Sequence, residues 1–320
     1  MDITQIWVGG VMSNIGLTVV KNEEEIIEVF CRHNLNLLDK IYIVDNCSTD
    51  NTIDIINSLI NEGLPIKLIV GFPDIVHNQE VAMTETLHII KKDHPVNLTF
   101  LLDADEFINT VRDKRTFQAE LSKLDRSYIH DILWQIYVPS EELSDTDNYV
   151  KLVTNRRLEE KFVQWKIIVP SELVEENIMV SSGNHGIKIK GDPDSYNFLK
   201  HKPIISAKLA HIPVRTESNT IRRLLLNSHT LSIKPNRDKF IGEGYHWDIF
   251  AEFIRKRNYK LSFNDLKLLA LNYGYAVFEP NSVIEDPIKS FGNVYVKYTN
   301  RNNPIMYFDK YIGNLIKNME

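Results

Sequence analysis

Cysteine is scarce in this chain. Only Cys31 and Cys47 occur in 320 residues, and neither stands at a metal-ligand spacing such as C-x-x-C. A disulfide framework is therefore excluded, and a reduced cytosolic protein accounts for both thiols. Long apolar runs are also missing. No stretch reaches the roughly 18 uninterrupted apolar residues that a membrane-spanning helix needs. The opening MDITQIWVGGVMSNIGLTVVKNEEE has no basic start followed by an apolar core, so it does not read as a signal peptide. A surplus of positive charge is lacking as well. With 37 basic and 43 acidic residues the formal net charge is -6, which argues against nucleic acid as a partner. Repeats and low-complexity tracts are absent. These absences predict a cytoplasmic protein that at most contacts a membrane as a peripheral visitor.

What is present is an ordinary globular composition, 43% hydrophobic and 25% charged. The first hundred residues alternate between two periods. IGLTVV (15–20), KIYIVDN (40–46), PIKLIVGF (65–72) and VNLTFLLDADEF (96–107) read as buried strands. Between them, 23–35, 48–63 and 78–94 read as amphipathic helices. Ser48 or Asp50 is expected to cap the second, and Gly63 to end it. Strand–helix alternation with short connections predicts βαβ units and a mostly parallel sheet. Ligands of such sheets bind beyond the carboxyl ends of the strands. Asn22, Asp45, Asn46, Asp103 and Asp105 all end predicted strands and should gather along one edge.

After about residue 110 the pattern changes. A helix is expected at 116–124 and strands at 128–140 and 161–170, joined by the polar loop SEELSDTDN. A strand pair is expected around Gly183 and Asn184, and a strand and turn at 206–215. From about 217 the chain reads as helical, ending in a helix over 303–319. The expected division is an α/β domain over 1–215 and a helical region over 216–320.

The stretch LLDADEFI (101–108) places Asp103, Asp105 and Glu106 at the end of a buried strand. An exposed acidic turn is one reading. The other is a site for Mg²⁺ or Mn²⁺, which takes oxygen ligands, commonly one or two carboxylates plus substrate phosphates. The polar group Asp45, Asn46, Ser48 and Asp50 at another strand end favours the second.

These segments resemble a known family. VVKNEEEIIEVFCRHN, IYIVDNCSTDNTIDII and LLDADEFI, in this order, resemble the nucleotide-sugar-binding half of family 2-type glycosyltransferases of the GT-A fold. The D-x-D-E-F form, with SGNHGI and HIPVRTES further on, resembles a bacterial branch related to family 92. The resemblance covers roughly residues 15 to 225. It implies an inverting, metal-dependent enzyme that moves a sugar from a nucleoside diphosphate sugar, UDP-linked in expectation, to a glycan or lipid-linked acceptor. Bacterial surface polysaccharide synthesis is the setting it implies.

Residue by residue, the resemblance implies that Asn22, Glu23, Asp45, Asn46, Gln79 and Asp103 face the nucleotide sugar. Asp103, Asp105 and His211 form the metal site. The catalytic base stays open between Glu106, His185 and Asp194, with Glu217 and Asp248 as outsiders. Cys47 stands where many members have Gly. After RTES the branch often has an aromatic and then a Lys; here Arg222 and Arg223 are the nearest basic residues, and whether either meets the diphosphate stays open. Two other classes compete: a sugar nucleotidyltransferase and a non-catalytic nucleotide-sugar-binding module. The first would open with a Gly-rich basic phosphate loop, whereas here the position is the acidic KNEEE. Residues 234–250 could fold over the donor as a lid or simply connect helices. The basic IRKRNYK (254–260) allows contact with an anionic membrane surface, and the C-terminal aromatics allow a homo-oligomer.

Overall fold

The computed structural model describes residues 12–71, 79–144, 148–160, 162–192, 195, 198–232, 245–275, 278–279, 281–292 and 294–299. Its N-terminal part is the expected alternation: β1 (Ser13–Val20), α1 (Ile27–Asn34), β2 (Lys40–Asp45), α2 (Thr52–Asn61), β3 (Ile66–Ile69), α3 (Gln79–Asp93) and β4 (Asn97–Leu101). The four strands lie in the order β3-β2-β1-β4, and every pair is parallel. Their continuous apolar runs follow from burial on both faces. Ile41 and Ile43 pack with Ile27, Phe30, Ile55 and Leu59 of α1 and α2. Tyr42 and Val44, one residue out of phase, pack with Met83, Leu87 and Ile90 of α3 on the other face. Each fully buried side chain of this size contributes about 1.5–3 kcal/mol.

The expected single strand over 96–107 is broken in two. β4 stops at Leu101, and β5 (Glu106–Thr110) begins a new strand after a tight turn at the acidic stretch. Two residues of α1 hold β5 in place: His33 Nε2 donates to the carbonyl of Ile108, and Asn34 bonds both Glu106 O and Ile108 N. The helix expected from residue 23 starts at Ile27, because the amides of Ile26 and Ile27 both turn back to Glu23 O.

After α4 (Lys114–Leu121), β6 (Ile129–Val138) runs through the second half of the sheet. The connection after β6 holds α5 (Tyr149–Leu152) and β7 (Asn155–Arg157), where a plain polar loop was expected. β8 (Gln164–Pro170) pairs antiparallel with both β6 and β4 and so joins the two halves. β9 (Ile178–Val180) and β10 (Ile187–Ile189) form the expected small hairpin. β11 (His201–His211) then returns parallel to β6 and antiparallel to β5. The fold is α/β, with a parallel N-terminal half of the sheet and a mixed second half, consistent with a GT-A fold.

The helices α6 (Glu217–Ser232), α7 (Tyr245–Lys256) and α8 (Phe263–Leu271) follow, and β12 (Val283–Glu285) pairs with β7. They share a core with the sheet: Ile136 and Val138 of β6 pack with Leu224, Phe250, Ile254 and Leu269. Further on, the Glu28 carboxylate accepts from the amides of Lys297, Tyr298 and Thr299, fastening that segment to α1. The helix expected over 303–319 and most of the lid expected over 234–250 lie outside the described residues. Among the described residues no helix is long and apolar enough to cross a membrane.

Candidate functional site

The carboxyl ends of β1, β2 and β4 meet at one edge, as parallel topology requires. After β1, Asn22 takes a left-handed backbone (φ 57), and its Oδ1 accepts from the amide of Thr49 at 2.7 Å. Ser48 answers from the β2 end by accepting from Asn22 N at 2.9 Å. Ser48 is thus spent on tying two loops together and does not cap α2. The N-cap is Asn51, whose side chain makes no cap bond, while Asp50 accepts from Thr52 N at 2.9 Å. Asp45 is buried. Its Oδ2 accepts from Ser48 N, while its Oδ1, like Asn46 Oδ1, is buried with no partner among the described residues. A buried acceptor left unpaired costs about 1–3 kcal/mol, so these two oxygens suit a ligand's N–H groups. Next in the chain, the exposed Cys47 also adopts a positive φ of 55, a conformation that favours glycine.

The three carboxylates of the acidic stretch face different partners. Asp105 Oδ2 lies 2.5 Å from Arg223 Nη1, 3.5 Å from Arg215 Nη1 and 3.3 Å from His211 Nε2. Burial would raise its carboxyl, but the groups around it, His211, Arg223 and Arg215, hold it well below the usual carboxylate range. Burial pushes His211 down, against the pull of Asp105, and its ring stacks on Trp134 at 4.5 Å.

Arg215 is a hub. It is fully buried and also pairs with Glu25 and, at 3.0 Å, with Glu23, whose carboxyl burial pushes up. Through it the loop after β1 and the loop after β4 become one unit. Arg222 adds a bond from α6 to Asn22 O at 2.8 Å.

Asp103 turns the other way. Its Oδ2 meets Lys166 Nζ of β8 at 2.6 Å, and its Oδ1 accepts from Asn184 Nδ2 at 2.9 Å. Gln79, at the start of α3, reaches the same Oδ1 at 3.5 Å. Glu106 is fully buried. Its Oε2 accepts from Asp103 N at 2.9 Å, and its Oε1 lies 3.3 Å from Lys166. Burial lifts the Glu106 carboxyl to about 8 even against the ammonium of Lys166, whose charge Asp103 engages more closely.

His185 sits beside this group. Its Nδ1 donates to the carbonyl of Trp165 at 2.6 Å, which leaves the lone pair on Nε2, and burial lowers the ring to about 4. Asp194 lies outside the described residues. Glu217 is occupied by the amide of Leu261, and Asp248 accepts from Ser228.

The sequence segment that supplies three of these strand ends also matches a family model. Residues 17–119 match the model described as Glycosyl transferase family 2. That segment is similar to family 2 glycosyltransferases. It contains Asn22, Asp45, Asp103 and Asp105, whereas Lys166, His185, His211, Arg215 and Arg223 come from beyond it. No curated protein matches the chain. Among solved structures, a mannosyltransferase from Pyrobaculum calidifontis in complex with GDP-Man and Mn²⁺ is 13% identical with a TM-score of 0.39, over 81% of this chain and 78% of that one. GalNAc-T7 with UDP, GalNAc and Mn²⁺ is 12% identical with a TM-score of 0.39, over 79% of this chain and 55% of that one. A mannose-6-phosphate isomerase from Helicobacter pylori is 12% identical with a TM-score of 0.30, over 49% of this chain and 60% of that one. Scores this low carry nothing about activity.

A cation beside this segment would meet Asp105 and His211 first. Two ligands each about 2.1 Å from one octahedral Mg²⁺ lie roughly 3 Å apart. Asp105 Oδ2 and His211 Nε2, at 3.3 Å, are close to that spacing. Among the described residues no three His, Cys, Asp or Glu side chains group to hold a metal. The pair therefore fits a Mg²⁺- or Mn²⁺-type ion that completes its shell with phosphate and water, and does not fit an all-protein cage.

The buried cation Lys166 lies outside every quoted motif, and Arg215 lies inside HIPVRTES without a role read for it. One available signal is Lys166 in QWKIIVP, which shares a strand face with buried Ile168 and so must find an anion inside. The other is Glu23 and Glu25 directly after a buried strand, which demand a cation from elsewhere.

Proposed function

We propose that this protein is an inverting, metal-dependent glycosyltransferase that moves a sugar from a nucleoside diphosphate sugar, UDP-linked, to a hydroxyl of a glycan or lipid-linked acceptor. One observation carries the reading. The segment similar to family 2 glycosyltransferases brings Asn22, Asp45, Asp103 and Asp105 to a single sheet edge, where the remote His211 and Arg215 close on Asp105. Asp45 Oδ1 and Asn46 Oδ1 would accept from the base. Asp105 and His211 would hold Mn²⁺ or Mg²⁺, and Asp103 would face the ribose and the ion's water shell. When bound, the ion supplies charge neutralisation for the departing diphosphate.

Inversion needs a base on the face opposite the diphosphate. Glu106 is enclosed and bonded to the loop backbone, so its role is to hold the turn. Of the described candidates His185 remains: its tautomer leaves Nε2 free to take the acceptor proton, and the ring is neutral at physiological pH. The setting in which this reading makes sense is cytoplasmic synthesis of bacterial surface polysaccharide, with peripheral contact to the inner face of the membrane.

Donor hydrolysis tests the activity. Purified protein with a panel of nucleoside diphosphate sugars should release nucleoside diphosphate slowly from one of them, in Mn²⁺ and not in chelator. His185→Ala should lower the rate of transfer to acceptor at least about a hundredfold while leaving donor binding intact. No turnover and no binding of any sugar nucleotide would sink the reading.

A further inference from the structure

Lys166 has no role in the site as read from the family 2 segment, yet it lies at its centre. Its side chain is 1% exposed, and its ammonium faces three oxygens, two of them through hydrogen bonds. It reaches Asp103 Oδ2 at 2.6 Å, Glu106 Oε1 at 3.3 Å and the carbonyl of Gly183 at 2.8 Å. Asn184, the next residue after that carbonyl, donates to the other oxygen of Asp103 at 2.9 Å. Both oxygens of Asp103 are therefore gripped from the same side, one by β8 and one by the turn at 183–184.

That turn is built for the task. Gly183 and Asn184 both have positive φ, 72 and 61, a tight conformation that aims the Asn184 amide back at the acidic loop. A Cβ on Gly183 would fall 2.8 Å from the His185 ring, so glycine is required both for the backbone and for the closeness of the imidazole. His185 itself is tied to Trp165, the residue before Lys166. One strand position thus anchors the acidic loop on one side and the histidine turn on the other.

We propose that Lys166 is a positioning residue that fixes the Asp103 carboxylate toward the donor and locks the 183–185 turn to it, setting the distance between the donor loop and His185. This rests on the glycosyltransferase reading above. Lys166 acts through Asp103: a carboxylate with a buried ammonium on one oxygen and an amide on the other has one orientation, whereas a free Asp side chain 33% exposed to solvent would sample several.

The test is calorimetric titration of UDP in saturating Mn²⁺ into wild type, Lys166→Met, Asn184→Gly, Asp103→Asn, the double variant Lys166→Met/Asp103→Asn, and Ile168→Ala. Ile168→Ala opens a cavity on the same strand and reports what lost stability alone does. Asn184→Gly keeps the positive φ and remains informative if Lys166→Met does not fold. The expected results are affinity weakened about 10- to 100-fold in Lys166→Met and about 3- to 10-fold in Asn184→Gly, with Ile168→Ala near wild type. Lys166→Met should add nothing in the Asp103→Asn background. Wild-type affinity in both Lys166→Met and Asn184→Gly, or a Lys166→Met loss that persists undiminished without the Asp103 carboxylate, overturns the proposal. Wild type that binds no nucleoside diphosphate overturns the reading of the site, and this proposal with it.

Discussion

Asp103 and Asp105 are two residues apart, and their surroundings have little in common. Asp105 is buried among two guanidinium groups and an imidazole, supplied by β11, the turn after it and α6. Asp103 is one-third exposed and is met by one ammonium, from β8, and two neutral amides, from the hairpin turn and the start of α3. The main chain reverses between them, so one carboxylate points to each side. A cluster that would repel itself in isolation is divided between two cation systems. The Asp105 side is rigid, multiply paired and charged. The Asp103 side carries a single cation and is one-third open to solvent.

Breaking the charged side should cost most. Arg215→Met leaves Glu23, Glu25 and Asp105 without their shared partner and should destabilise the fold by about 3–5 kcal/mol in urea unfolding. The open side should tolerate change better. Asp103→Asn keeps Glu106 as a partner for Lys166 and should cost about 1–3 kcal/mol in the same assay. Equal losses for the two would erase the contrast.

A third effect acts on both sides from behind, through the bond from His33 to the backbone of β5. Burial lowers His33 from 6.5 to about 4, so it stays neutral when folded while the unfolded chain takes up a proton. Stability from this group is fully present above pH 6.5 and is lost as pH falls toward 4, by about 3 kcal/mol in all. His33→Gln should flatten that part of the pH profile, measured by thermal unfolding across pH 4–7. The smallest effect belongs to Cys47. Cys47→Gly should stay within about 1 kcal/mol of wild type, since relief of the left-handed strain offsets the entropy of glycine. Cys47→Val should destabilise, because a β-branched residue resists φ 55.

The contrast also marks what could be read beforehand. The parallel strands were legible, because burial on both faces leaves continuous apolar runs broken by caps and turns. Asn22, Asp45, Asp103 and Asp105 follow as strand ends. The break between β4 and β5 was hidden, since apolar residues flank the acidic turn on both sides and the run looks continuous. Lys166 and Arg215 were hidden for a different reason. A buried cation is defined by the anions it meets, and Arg215 meets Glu23 across 192 positions of chain. No local period records such a pairing.

The central claim is that Asp105, with His211, belongs to a cation site serving a nucleoside diphosphate. Calorimetric titration of UDP into wild type and Asp105→Asn, each with Mn²⁺ and with chelator, tests it most directly. Wild type should bind at least about tenfold more tightly with Mn²⁺, and Asp105→Asn should show no difference between the two conditions. UDP affinity in wild type that is the same with Mn²⁺ and with chelator would contradict it.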